Sequence, residues 1–101
     1  MNDNLRAINN IDRLIHEPAR LMIMTILNAV DEADFLYLLN ETGLTRGNLS
    51  THLSKLEDAG YIKIEKTFRG KIPRTVCRLS ETGRTAFGKY RKQLRQIAGR
   101  I

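Results

Sequence analysis

Residues 45–59 place small polar side chains and one arginine along one side of a predicted helix. Leu49, Leu53 and Leu56 recur at helical spacing and mark the side that faces the core. Side chains of the polar types can hydrogen-bond to base edges in a major groove, where Asn suits adenine, Arg suits guanine, and Ser or Thr suits either. The candidate DNA-binding residues of this helix are Thr45, Arg46, Gly47, Asn48, Ser50, Thr51, His52 and Lys55. Among them, His52 is expected to lie at the boundary of the face or to contact a phosphate.

Gly47 is unusual at this position, because glycine inside a helix costs about 1 kcal/mol relative to alanine. Its presence indicates a need for close approach of a ligand to the backbone. The alternative is a helix face that is merely exposed to solvent. The basic segment that follows in the chain favours the first interpretation.

Residues 62–79 are predicted to form a β-hairpin with a basic tip. Ile62, Ile64 and Phe68 alternate with polar residues, as in a half-buried strand, and residues 75–79 are suited to the returning strand. Glycine and proline predict a loop over residues 69–74. Cations there can contact phosphates or enter a minor groove, whereas the alternative for each is an ordinary surface charge. The candidates are Lys66, Arg69, Gly70, Lys71 and Arg74.

The charge of the chain is unevenly distributed. The 101 residues carry a net charge of +6. Residues 1–44 hold three basic and seven acidic residues, a net −4, whereas residues 45–101 hold fourteen and four, a net +10. A basic surface on one part of a domain is typical of polyanion binding, although a solvated basic helix would have the same charge.

Four helices are expected ahead of the hairpin to position these side chains. The first covers residues 1–16, and Pro18 begins a second, which runs to about Val30 and is apolar almost all round, as in a helix buried on most sides. Asp34 caps a third helix, Gly43 turns the chain, and Thr45 caps the fourth. Two short helices joined by a tight glycine turn predict a helix-turn-helix.

A last helix, capped by Ser80, carries an apolar stripe at spacings of three and four that reaches the final residue. A domain this small is not expected to cover the whole stripe, so we expect it to pack against a second copy together with the first helix. The predicted dimer interface consists of Leu5, Ile8, Ile11, Ile15, Phe87, Tyr90, Leu94, Ile97 and Ile101. A dimer would bind a pseudo-palindromic duplex with half-sites about 34–36 Å apart.

The order of elements predicts one domain: a mainly α fold with a small β-hairpin, that is, a winged helix-turn-helix with an added dimerisation helix. Its parts are an N-terminal helix (residues 1–16), a winged helix core (residues 18–79) and a C-terminal dimerisation helix (residues 80–101).

Three segments resemble a known family: GLTRGNLSTHLSKLEDAGYI at residues 43–62, RGKIPRT at 69–75 and LSETGR at 79–84. They are similar to small winged helix transcriptional regulators related to the MarR and ArsR groups, and the resemblance extends over residues 16–90. It implies a homodimeric DNA-binding regulator of archaea or bacteria, with residues 45–59 as recognition helix and the hairpin around Gly70 as wing. It also implies a short strand at Ala33 and Asp34 beside the wing, and an aromatic residue in many relatives where this chain has Cys77.

Other classes of function find little support in the sequence. No nucleophile, base and orienting group recur in a known pattern, so we expect no catalytic residues and no cofactor. Two histidines and one cysteine without ligand spacing argue against a metal site. No apolar run is long enough to span a membrane, and a lone cysteine fits a reducing compartment, so a cytoplasmic, nucleoid-associated protein is expected.

Two alternatives stay open. The chain could be a winged helix module that binds proteins without reading DNA, and RNA binding is a weaker option because no aromatic stacking platform is visible. A small-molecule effector and oxidation of Cys77 are conceivable modes of regulation that nothing in the sequence specifies.

Overall fold

The computed structural model describes residues 3–101, with side chains from residue 5 onward. Its helices are α1 (Asp3–Arg6), α2 (Pro18–Ala29), α3 (Phe35–Thr42), α4 (Arg46–Asp58) and α5 (Glu81–Ala98), and a 3-10 turn at Ala7–Asn10 follows α1. Its strands are β1 (Ala33–Asp34), β2 (Ile62–Arg69) and β3 (Ile72–Leu79). They form an antiparallel sheet in the order β1-β3-β2. The predicted winged helix fold is confirmed, including the short strand beside the wing.

Side chains cap each of the four long helices. Asp34 accepts a hydrogen bond from the backbone N–H of Tyr37 at 2.8 Å, and Ser80 accepts one from that of Gly83 at 2.9 Å. Thr45 caps α4 in the same way, and Glu17 caps α2, whose first residue is Pro18. Such caps satisfy backbone donors that have no partner within the helix, so they fix where each helix begins.

One apolar cluster joins all the long elements. It includes Ile23 of α2, Leu38 of α3, Leu49 of α4, Cys77 of β3 and Tyr90 of α5. Burial raises the pKa of the Cys77 thiol to about 11, with smaller contributions from the charges of Glu57 and Asp34. The expectation that α2 is buried on most sides is wrong, because Met22 is 37% exposed and Thr25 and Ala29 also lie on the surface.

The predicted N-terminal helix over residues 1–16 is wrong beyond Asn10, and its first two residues lie outside the described part of the chain. Residues 11–17 form turns. The carboxylate of Asp12 accepts hydrogen bonds from the backbone N–H groups of Leu14 (3.0 Å) and Ile15 (3.2 Å). A short acidic side chain that bonds locally to the backbone competes with helix formation, which explains the break.

The predicted loop over residues 69–74 is wrong as well. The strands are joined by Gly70 and Lys71 alone, and Gly70 has a φ of 64° whereas Lys71 does not have positive φ. Glycine with positive φ at the first of two central residues is the pattern of a type II′ hairpin turn. Pro73 lies within β3 at a point where β1 does not pair, so its missing N–H leaves that open edge undisturbed.

The expectation that one chain cannot cover the stripe of α5 is wrong for Phe87, Tyr90 and Ile97, which are 4%, 1% and 5% exposed. The N-terminal segment packs against α5, and Ile11 and Ile15 are buried with it in the same core. Among the residues assigned to a dimer interface, the structure leaves Leu5, Ile8 and Ile101 exposed and Leu94 partly exposed.

Candidate nucleic-acid interface

The turn between α3 and α4 fixes the direction of α4. Gly43 adopts a left-handed conformation (φ 69°), and its N–H donates to the carbonyl of Leu39 at 3.1 Å. Leu44 packs against the core after this turn, and Thr45 then caps α4. Because glycine adopts positive φ without a steric penalty, this C-cap lets α4 leave α3 after only three residues.

The outward face of α4 carries the predicted base-reading residues. Thr45, Arg46, Gly47, Asn48, Ser50, Thr51 and Lys55 are exposed, and Leu49, Leu53 and Leu56 are buried on the other side. The hydroxyl of Thr51 donates to the carbonyl of Gly47 at 3.0 Å. A Cβ atom at Gly47 would meet nothing within 4 Å, so packing within the chain does not require glycine there.

His52 is the predicted site residue that lies behind this face. Its side chain is 19% exposed, and the guanidinium of Arg20 approaches its Nδ1 at 3.0 Å. The carboxylate of Glu17 lies 3.9 Å from the same nitrogen. The pKa of Glu17 is lowered mainly by the hydrogen bond that its carboxylate accepts from the backbone N–H of Arg20. Sequence reasoning missed Arg20, because its contact with His52 joins residues 32 positions apart in the chain.

The hairpin β2–β3 is the wing, and its tip is exposed. Lys66, Arg69, Gly70 and Lys71 are all on the surface, as a contact with phosphates requires. The assignment of Phe68 to the half-buried side of a strand is wrong: Phe68 is 68% exposed and Ile72 is 69% exposed. The alternation of apolar and polar residues that begins at Ile62 and Ile64 continues along β2. The body of the domain does not extend as far as Phe68, so the side chain of Phe68 faces solvent.

Arg74 lies opposite Thr67 in the outer half of the wing, and its side chain reaches back to the body of the domain. Its guanidinium donates from Nε to the carboxylate of Asp34 at 3.4 Å, and both side chains are about one-third exposed. The other carboxylate oxygen of Asp34 caps α3. A groove of about 350 Å³ is lined by Arg74, Arg46 and Leu36, so the start of α4 and the strand β3 of the wing share one surface.

A larger open groove of about 890 Å³ lies between the N-terminal segment and α5. The hydroxyl of Tyr61 donates to Asp12 at 2.5 Å, and the hydroxyl of Tyr90 lies 2.8 Å from Nδ1 of His16. Burial, with the hydrogen bond to Asp12 and its charge, raises the pKa of Tyr61 to about 12. Sequence reasoning missed these contacts because their partners are 49 and 74 residues apart in the chain.

Within residues 3–101, no group of three His, Cys, Asp or Glu side chains could hold a metal ion. No helix in that range is long and apolar enough to cross a membrane.

Comparisons with known proteins agree with this geometry. A family model described as "Winged helix DNA-binding domain" matches residues 19–98. An uncharacterized protein of Methanocaldococcus jannaschii is 30% identical over 90 residues, which is 88% of this chain and 97% of that protein. A solved transcriptional regulator homologue from Pyrococcus horikoshii is 28% identical with a TM-score of 0.87, covering 97% of this chain and 96% of that one.

More distant solved structures share the fold. A MarR family regulator from Silicibacter pomeroyi is 21% identical with a TM-score of 0.68, over 96% of this chain and 64% of that one. An ArsR family regulator is 18% identical with a TM-score of 0.57, over 96% and 92%. The family model therefore confirms the resemblance to winged helix DNA-binding proteins, and the MarR and ArsR regulators share the fold of this chain.

Proposed function

Because the chain belongs to the winged helix DNA-binding domain family, we propose that it is a transcriptional regulator that binds double-stranded DNA in a sequence-specific manner as a homodimer. The observation that carries this proposal is the exposed polar face of α4, where Arg46 and Lys55 accompany neutral side chains, beside a projecting basic hairpin. In this account α4 enters the major groove, and Lys66, Arg69 and Lys71 of the wing contact phosphates or the minor groove.

Division of labour between α4 and the wing follows from their chemistry. Asn48, Ser50 and Thr51 carry neutral donors and acceptors, which can discriminate base edges but add little attraction to phosphate. The cations of the wing add affinity for any duplex, because each phosphate contact releases condensed counterions. Arg74, held by Asp34, orients the wing toward the start of α4.

Sequence specificity is tested by selecting bound duplexes from a random pool with the wild-type protein, Asn48→Ala and Thr51→Ala. We expect each variant to lose preference at one or two base positions, with about 1–3 kcal/mol less discrimination there. Gln96→Ala on the exposed side of α5 is the matched control and should select the wild-type sequence. Identical selected sequences for all four proteins would contradict base reading by α4.

Duplex binding by the same protein preparation distinguishes a regulator from the alternative function, a protein-interaction module without DNA readout. A regulator binds duplex DNA with an affinity that falls steeply as salt rises, whereas a protein-interaction module does not.

A small-molecule effector is a separate question. A NadR structure, 18% identical, is in complex with 4-hydroxyphenylacetate, but that likeness concerns the fold alone. We therefore assign no effector to this chain.

A further inference from the structure

The tip of the wing combines exposed apolar and basic side chains in a way that phosphate contact alone does not require. Phe68 and Ile72 are more than two-thirds exposed, and they flank the segment Arg69, Gly70 and Lys71. A large apolar side chain gains nothing from a phosphate, and its exposure to water is unfavourable. The tip is therefore suited to a ligand that presents both anionic and apolar surface.

The register of the hairpin places apolar groups on both of its faces. Phe68 is opposite Pro73, and Ile72 is opposite Arg69, so adjacent pairs expose their side chains on opposite faces. Pairing of β3 with β1 ends at Val76, whose partner on β2 is Glu65. From Glu65 to Arg69 the strand rises about 13 Å, so the tip projects as a narrow two-stranded element that ends in a two-residue turn.

Charge determines which partner fits this tip. Residues 66–76 contain four cations and no acidic residue, so a second copy of the tip would be repelled and a polyanion attracted. The minor groove of a duplex offers phosphates at its rims and apolar sugar and base surface between them. Proteins that bind there often insert Phe, Ile or Pro at a base step and bend the duplex.

Building on the function proposed above, we propose that the wing tip is a minor-groove wedge: Phe68, with Pro73 beside it on the same face, inserts at a base step while Arg69 and Lys71 hold the adjacent phosphates, and the duplex bends. The wedge gives Phe68 a role in positioning the duplex and in sequence preference. The fold itself does not require this exposed side chain. It also predicts a preference for easily unstacked pyrimidine–purine steps at the position of the wing.

The test measures bending by energy transfer between dyes at the two ends of a duplex of about 30 base pairs selected from a random pool. Wild-type protein should increase the transfer efficiency. Phe68→Ser should lose most of that increase and about tenfold in affinity, the loss expected for one stacking contact, with the salt dependence unchanged. Phe68→Leu, which keeps an apolar wedge, should restore most of the bend.

Four outcomes would overturn the wedge. Equal bending by wild type and Phe68→Ser would show that Phe68 does not insert. A change in oligomeric state of Phe68→Ser, measured without DNA, would assign the tip to a protein contact. Tight, salt-sensitive binding by wild type without bending would reject the wedge but leave the proposed regulator intact, whereas absence of any duplex binding would reject both. Unchanged thermal unfolding of Phe68→Ser is the control for folding, since the side chain is exposed.

Discussion

The hydroxyl of Tyr61 makes one of the polar contacts that fasten the N-terminal segment to the winged helix core. It donates to Asp12, whose other oxygen accepts from the backbone of Leu14 and Ile15. A single carboxylate thus ends the N-terminal turn and anchors it to the residue before β2. This contact lets the segment bury Ile11 and Ile15 although it forms no long helix.

The raised pKa of Tyr61 predicts a loss of stability in alkali. A group whose pKa is higher in the folded than in the unfolded state adds stability below its unfolded pKa and loses it as the pH rises through the folded pKa. For Tyr61 that window lies between pH 10 and about 12. We expect Tyr61→Phe to unfold about 2 kcal/mol more easily at neutral pH, since a hydrogen bond to a charged group is lost.

Urea unfolding of both proteins at several pH values measures this effect. Tyr61→Phe should lose less stability than wild type across the window. Some loss should persist, because burial also raises the pKa of Tyr90 and Cys77. Parallel pH curves for the two proteins would contradict the role assigned to Tyr61.

At the scale of elements, Gly83 determines how α5 packs against the start of β2. A Cβ atom at Gly83 would lie 1.9 Å from the carbonyl oxygen of Tyr61, which itself accepts the N–H of Ser80 at 3.0 Å. Backbone atoms cannot move aside as a flexible side chain can. The first turn of α5 and the residue before the wing are therefore in contact only because residue 83 lacks a side chain.

We expect Gly83→Ala to lower the free energy of unfolding by about 2 kcal/mol or more, through overlap with this carbonyl. Gly88→Ala is the matched control on the same helix, since a Cβ there meets nothing within 4 Å. It should be neutral or stabilising by up to about 1 kcal/mol, from helix propensity. Chemical denaturation compares the two, and an equal effect of both changes would refute the packing role of Gly83.

Elements with a local signal could be predicted from the sequence, whereas contacts over long separations could not. Asp34, Thr45, Ser80 and Gly43 identify helix ends by their own chemistry, and each does so in the structure. The predicted helix through Ile11 and Ile15 is absent from the structure. The same periodic spacing of apolar residues is compatible with turns that bury both side chains. The exposure of Phe68 depends on where the domain body ends, which alternation along one strand does not encode.

Predictions for the candidate site also succeeded where the signal was local and failed where a contact was distant in sequence. Helical spacing was enough to predict which residues of α4 face outward, and all but His52 are exposed. His52 and Arg74 differ because their partners, Arg20 and Asp34, are 32 and 40 residues away in sequence. A single sequence does not reveal which cations have partners within the chain and which are available to a ligand.

The whole molecule is elongated, with principal dimensions of 60 × 26 × 21 Å and a radius of gyration of 15.1 Å, against about 13 Å for a compact chain of this length. Elongation leaves the wing and the terminal regions projecting from the core. Leu5, Ile8 and Ile101 are exposed in those terminal regions. They are the apolar side chains on which the proposed homodimer depends.

We expect Ile8→Asp to shift the protein toward monomer in sedimentation equilibrium, because it places a charge in the proposed apolar interface. Met22→Asp, at an exposed position on α2, is the control and should leave the association unchanged. Dissociation by Met22→Asp alone would assign the interface to α2 instead.

The salt dependence of duplex binding decides whether this chain binds DNA through its wing. The affinity of wild type should fall linearly with salt on a logarithmic scale, and Arg69→Ala with Lys71→Ala should reduce that slope by about two on every sequence, one for each phosphate contact. The charge-matched pair Lys92→Ala with Arg100→Ala, exposed on and after α5, should leave the slope close to wild type. Binding without salt dependence, or equal slopes for the two double variants, would contradict a DNA-binding regulator that uses this wing.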